Sequence, residues 1–366
     1  MNNRPSAHVL QLDGLRTVAI GMVLVAHWVQ WKFDNPFLKN FPFAHGVTLF
    51  FVLSGFLITG ILLDGRKHIE ASSSTSTSFL GAFYARRSLR IFPVYYLLIG
   101  LLFLMDFEEA RHLFPWLVTY TTNIYQSIHG TYIGSFNHFW SLAAEEQFYL
   151  LWPVILLWIP VKRIPLAIFS MIGVSILFRC WVYVFTKNWM AMGYSTPGCM
   201  YALGIGAAGA FLTREKVSTA SILRSTKAVT IAVILYLSLY ISFDTWGPYW
   251  YKDLLDEVVF ACMCLPLVLS ASTNGIGGGV GKILSSRFFV YTGRISYGIY
   301  LFHLFIPSLV YWVIGKIGLN MEGGPLVFLV FTWCAAALSW KFLEAPMNNL
   351  KRYFPYEGRK KAVSGG

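Results

Sequence analysis

Two histidines and a pair of adjacent glutamates lie inside long apolar runs. His27 ends TVAIGMVLVAH, His303 ends ISYGIYLFH, and Glu145 and Glu146 interrupt FWSLAAEEQFYLLW. Ionisable groups are costly in such surroundings, so each is a candidate for function. A neutral imidazole oriented by a carboxylate is suited to take the proton from a hydroxyl. The same ring nitrogen can instead attack a carbonyl and carry an acyl group, and the sequence leaves both roles open. The plainer alternative is that His27 or His303 only hydrogen-bonds a neighbouring helix. Adjacent helical positions diverge, so Glu145 and Glu146 are expected to face different ways, with Glu146 an alternative partner for Arg179. Trp140 and Arg179 are candidates for substrate contact. No set of metal ligands is expected.

Basic residues form a second group. In YARRSLR, Arg87 and Arg90 stand three apart on one helical face, where they could clamp a phosphorylated ligand. The competing reading is an ordinary membrane anchor. Arg16 would join them beneath the level of His27, from which it is separated by about 16 Å along a helix. Asp13 reads as a helix cap or as the ion-pair partner of Arg16. Lys341 and Glu344 read as interfacial charges made cheap by snorkelling.

The elements that must hold these groups follow from composition. Of 366 residues, 56% are hydrophobic and 13% charged, and mean hydropathy is +0.57. A soluble domain carries about 25% charged residues, so the surface faces lipid, with membrane lipid as an obligate partner. The net charge of +12 suits cytoplasmic loops against anionic lipid, and no nucleic-acid-reading pattern is present. Runs long enough to span a bilayer fall near 16–32, 45–63, 89–105, 139–160, 164–186, 196–213, 228–243, 257–273, 295–315 and 324–343. Residues 112–128 are ambiguous. With ten spans and a cytoplasmic N-terminus, 20 Lys and Arg fall inside and 6 outside, whereas an eleventh span at 112–128 would destroy that sorting.

The expected fold is therefore all-α: a polytopic bundle of about ten transmembrane helices with both termini cytoplasmic. Residues 106–138 would then be a lid over the outer face. The membrane domain is expected over 8–350 and a basic cytoplasmic tail over 351–366. GIGGGVG at 275–281 reads as a flexible connection, since it lacks the ending of a phosphate-binding loop, and SSSTSTS at 72–78 as a solvated one. Cys180, Cys199, Cys262, Cys264 and Cys334 read as packing residues, with the two of the C-x-C pointing apart. No signal peptide is evident, and no internal repeat suggests a transporter of inverted halves.

In order and spacing, LDGLR followed by His27, VTLFFVLSGFLIT, RRSLRIFPVYY, FWSLAAEEQFYLLWP, GRISYGIYLFH and FLEAPM resemble the acyltransferase-3 family of integral-membrane O-acyltransferases. The resemblance runs from about residue 8 to 350. It implies a ten-helix bundle that moves an acyl group, usually acetyl from cytoplasmic acetyl-CoA, to a hydroxyl of a glycan. Acyl-CoA would be a co-substrate, with no permanently bound cofactor, and the acceptor a glycan or lipid-linked saccharide at a bacterial inner membrane. By position, His27 matches the family's essential histidine, Arg16 its paired basic residue, and Arg87 and Arg90 the R-x-x-R thought to engage CoA phosphates. Many relatives add a C-terminal SGNH hydrolase-like domain, which is expected to be absent here. Two rivals stand beside this reading: a macrolide or small-metabolite acyltransferase, and a flippase without chemistry.

Overall fold

The computed structural model describes residues 9–30, 41–71, 75–246, 249–316 and 324–356, and among these it is helical without strands. Helices are the economical answer in lipid because they satisfy their own backbone polar groups. Three helices come first: α1 Leu10–Trp28, α2 Gly46–Ala71 and α3 Ser76–Met105. Two short ones, α4 Ala110–Val118 and α5 Thr122–His129, precede α6 Phe139–Trp158, α7 Ile164–Trp181 and α8 Thr196–Arg214. Next are α9 Thr226–Trp246, α10 Asp256–Ala271, α11 Gly278–Leu284 and α12 Arg287–Arg294. The chain closes with α13 Ser296–Phe302, α14 Phe305–Lys316, α15 Pro325–Ser339 and α16 Ala345–Asn349.

Each of the ten predicted apolar stretches coincides with a helix or helix pair. Six described helical segments are long and apolar enough to cross a bilayer alone, and α13 with α14 forms a seventh candidate bent by 61°. The other stretches fall on α6, α8 and α10. In α6, Glu145, Glu146 and Gln147 lower the hydropathy; in α8 a series of glycines does so; and α10 is only 16 residues long. These are the helices whose polar or small residues face protein rather than lipid.

α2 is the most buried of the six long apolar segments, whereas α9 is peripheral, with Tyr236 its one fully buried residue among those described. The α2–α8 contact is intimate because it is made through glycine. A Cβ at Gly55 would collide with the Leu203 carbonyl, and one at Gly206 with the Val52 carbonyl. Small residues let helix backbones approach in membranes, where there is no hydrophobic drive to bring helices together.

Three expectations change here. α4 and α5 have 9 and 8 residues, too short to cross. They are set deeper than a covering lid requires. They wedge into the bundle, where Asn123 and Gln126 are wholly buried. Asn123 donates to Thr196 at 2.9 Å, Gln147 donates to Asn123 at 3.0 Å, and Tyr95 donates to the Leu117 carbonyl at 2.8 Å. Secondly, 275–281 is an anchored segment. Gln11 donates to the Ile276 carbonyl at 2.9 Å and accepts from its N–H at 3.0 Å, and helix α11 begins within the stretch. Thirdly, Glu344 is buried rather than interfacial, accepting from Ser339 at 2.9 Å. All five cysteines are free; Cys264 is buried and Cys262 exposed, as their spacing requires, but Cys334 is exposed as well. The expected tail is described only to residue 356, and part of the SSSTSTS stretch lies outside the described residues.

Candidate active site

Hydrogen-bonding positions along α2, α3 and α6 converge on one cavity of about 90 Å³. Arg16 enters it from α1, Arg87 and Arg90 from α3, Ser54 from α2, and Ser141, Glu145, Glu146 and Tyr149 from α6. Tyr120, with Ser296, Tyr297 and Tyr300 of α13, completes its polar lining. The three arginines and two glutamates singled out from sequence therefore share one space. Arg87 and Arg90 do present a common face, and the Arg87 guanidinium lies over the Tyr149 ring, 4.6 Å from its centroid. Arg16 pairs with Asp13 one turn away, so Asp13 takes the ion-pair role rather than that of a cap.

Glu145 accepts from both the Ser54 and the Tyr149 hydroxyl. This is a carboxylate fixed by two donors from two helices. Glu146 borders the same cavity, so the two neighbours do not point to separate environments. Nor is Glu146 the partner of Arg179, which pairs at 3.0 Å with Glu257 and sits over the Tyr201 ring. Arg179 is buried and absent from the cavity wall, so it braces α7 against α8 and α10 and has no surface to offer a substrate. Trp140 stacks on Tyr194 with ring centroids 4.5 Å apart, and meets Phe51 of the cavity wall edge-on.

His27 occupies the last turn of α1 and is exposed. Its Nδ1 lies 2.9 Å from the Val23 carbonyl, which can only accept, so the proton is on Nδ1 and the Nε2 lone pair is free. A backbone carbonyl thus orients this imidazole, where the sequence reading expected Glu145 or Glu146. His303 lies beside it, with ring centroids 4.9 Å apart, and is fully buried. His303 Nδ1 donates to the Tyr300 carbonyl at 2.6 Å, leaving its Nε2 without a hydrogen-bond partner.

A third imidazole escaped the sequence reading. His138, at the start of α6, lies 4.7 Å from His303, centroid to centroid. It is held by the Leu301 carbonyl at 3.2 Å. Its own carbonyl accepts from Tyr300 and Ser141, whose hydroxyls lie 2.5 Å apart in the cavity wall. The chain Ser141–Tyr300–His138–His303–His27 therefore leads from the cavity to an exposed imidazole. His138 was hidden because it precedes the apolar run and reads as a boundary residue; its one signal was Ser141 three positions on. Ser54 and Tyr149 carried no signal, since such hydroxyls are common in helices. No group of residues suited to a metal ion occurs among the described residues.

The helical bundle thus holds a basic, carboxylate-bearing cavity beside a cluster of imidazoles. The chain is a member of the acyltransferase-3 family: its "Acyltransferase domain" model matches residues 9–344. Among its relatives is "Peptidoglycan O-acetyltransferase OatA" of Listeria monocytogenes, 29% identical, with the match covering 95% of this chain and 57% of the relative. "Putative O-acetyltransferase SACOL0978" of Staphylococcus aureus is 28% identical over 92% of this chain and 56% of its own length. "Putative peptidoglycan O-acetyltransferase YrhL" of Bacillus subtilis is 28% identical over 92% of this chain and 54% of its own length. The chain thus spans little more than half the length of these curated relatives. No solved structure matches it.

Proposed function

We propose that this protein is a multi-pass O-acyltransferase of a bacterial inner membrane, moving an acetyl group from acetyl-CoA to a hydroxyl of a cell-envelope saccharide. The observation that carries the reading is the shared cavity. It has Arg16, Arg87 and Arg90 in its wall and, through Ser141 and Tyr300, adjoins His138, His303 and His27. Guanidinium groups suit the phosphates of a CoA donor. The rise of α1 separates Arg16 from His27 by about 16 Å, a distance suited to an extended pantetheine arm. The thioester would then lie past the Ser141–Tyr300 end, at the level of His27.

In the transfer, the acceptor hydroxyl meets the free Nε2 of His27. As the hydroxyl oxygen attacks the thioester carbonyl, His27 takes its proton. The new C–O bond forms and the C–S bond breaks. The proton passes from His27 to the departing thiolate, giving the ester and free CoA. Two of the relatives carry peptidoglycan in their names, which favours a cell-wall glycan as acceptor.

The test is mass spectrometry of surface, cell-wall and secreted glycans from deletion and complemented strains. An acetyl ester that disappears on deletion and returns with the gene is expected. Unchanged acetylation of every glycan fraction would contradict the reading, and an ester lost only from a small metabolite would move the acceptor to that class.

A further inference from the structure

Beyond Arg87 and Arg90, the chain after α16 brings more positive charge to the same place. Arg86 donates to the Lys351 carbonyl at 2.9 Å and to the Phe354 carbonyl at 3.2 Å. Its guanidinium also lies over the Tyr356 ring, 4.7 Å from the centroid, and Tyr356 stacks on Phe79 of α3 at 5.0 Å. Residues 351–356 are thus strapped along the first half of α3, to Phe79 in its first turn and to Arg86 beside Arg87 and Arg90. This places the half-buried Lys351 where it feels the charges of Arg86, Arg87 and Arg90. Among the described residues, no carboxylate lies within ion-pair distance of any of these four cations; Glu146 acts on Arg87, and Glu344 and Asp13 on Arg90, from further off, and none of them reaches Lys351. Gathering like charges on a half-buried surface is unfavourable unless an anion compensates them. An ordinary interfacial anchor would leave its cations among solvent and lipid headgroups, whereas here a strap held by two hydrogen bonds and two ring contacts brings Lys351 to Arg86, next to Arg87.

We infer that the strap closes a phosphate-binding site at the mouth of the cavity, in which Lys351 engages a terminal phosphate monoester of the donor while Arg87 and Arg90 hold the groups deeper in. The inference rests on the donor reading proposed above and adds a partner from the far end of the chain. In coenzyme A the phosphate furthest from the thioester is the 3′-phosphate of the ribose, so Lys351 discriminates CoA from its 3′-dephospho form. Arg86 acts as the positioning residue that holds the strap.

The measurement is the affinity of the purified protein, in phosphatidylcholine nanodiscs, for CoA and for 3′-dephospho-CoA. Lys351→Gln and Lys351→Glu are compared with the wild type, with Lys341→Gln as an exposed control and thermal melting as the check on folding. Loss of one charge-assisted contact should weaken CoA about tenfold in Lys351→Gln, and more in Lys351→Glu. Dephospho-CoA affinity and melting should stay as in the wild type. Unchanged CoA affinity in both variants would overturn the inference, and so would equal weakening of both nucleotides, which marks a merely structural strap. In either case, CoA binding that still depends on Arg87 and Arg90 leaves the donor reading standing. A wild type that binds no CoA but retains phosphatidylglycerol through Lys351 overturns both, making the phosphate a lipid headgroup.

Discussion

At the scale of single residues, the decisive feature is the state of His27. One ring nitrogen is committed to the Val23 carbonyl and the other is free on an exposed face. Replacing His27 by Ala should lower transfer by about 10²–10⁴-fold, the range of a positioned acid–base group, while donor affinity stays unchanged. Enzyme assays paired with CoA binding check this, and a fall in affinity with unchanged turnover would place His27 in binding instead. His138→Gln should lower kcat by about tenfold or more without raising KM, because the ring supports His303 and touches neither phosphate nor cavity. Glu145→Gln replaces an acceptor of two hydroxyl donors with a group half of which is itself a donor. Melting should show a loss of about 1–3 kcal/mol, the cost of leaving a buried partner unmatched. What sequence revealed at this scale was whatever is anomalous in lipid: His27, His303, the two glutamates and the arginines. Partnerships were not legible. The orienting carbonyl of Val23 belongs to every helix, and Glu257, the partner of Arg179, is distant in the chain.

Among elements, the pairing of α2 with α8 fixes the bundle, since it is made backbone to backbone through Gly55 and Gly206. Gly206→Val should cost at least about 1–3 kcal/mol, the range for overpacking, and would spread α2 from α8. Lower melting and lower transfer are expected together, whereas the same change at Gly173, where a Cβ meets nothing, should affect neither. Helix positions were readable because a membrane-spanning helix needs an uninterrupted apolar run, and each predicted run found its helix. The wedge of α4 and α5 was not readable as such. Its polar residues look like a solvated loop until Gln147 and Thr196 are seen to receive Asn123 within the bundle. Gly275–Gly281 misled for the opposite reason: glycine permits flexibility, but here it admits close approach to Gln11.

For the whole molecule, the sorting of basic residues predicts the orientation on which the proposed mechanism depends. Donor phosphates would meet Arg16, Arg87 and Arg90 from the cytoplasm, and His27, in the last turn of α1, would face the other side. Reporters fused after residue 356 and inserted between residues 188 and 189 check this orientation, the first expected inside and the second outside; the reverse pattern would invert the path of the acetyl group. The central claim is that one protein both receives acetyl-CoA and passes the acetyl group to a glycan hydroxyl, with His27 as the base. Its most direct test is transfer of radiolabelled acetyl from acetyl-CoA to added cell-wall glycan by the purified protein in liposomes. The comparison is with His27→Ala and with the Arg87→Ala, Arg90→Ala double variant. Labelled glycan ester is expected with the wild type alone, with His27→Ala still binding donor and the double variant failing to bind it. Equal labelling by His27→Ala and the wild type would contradict the account.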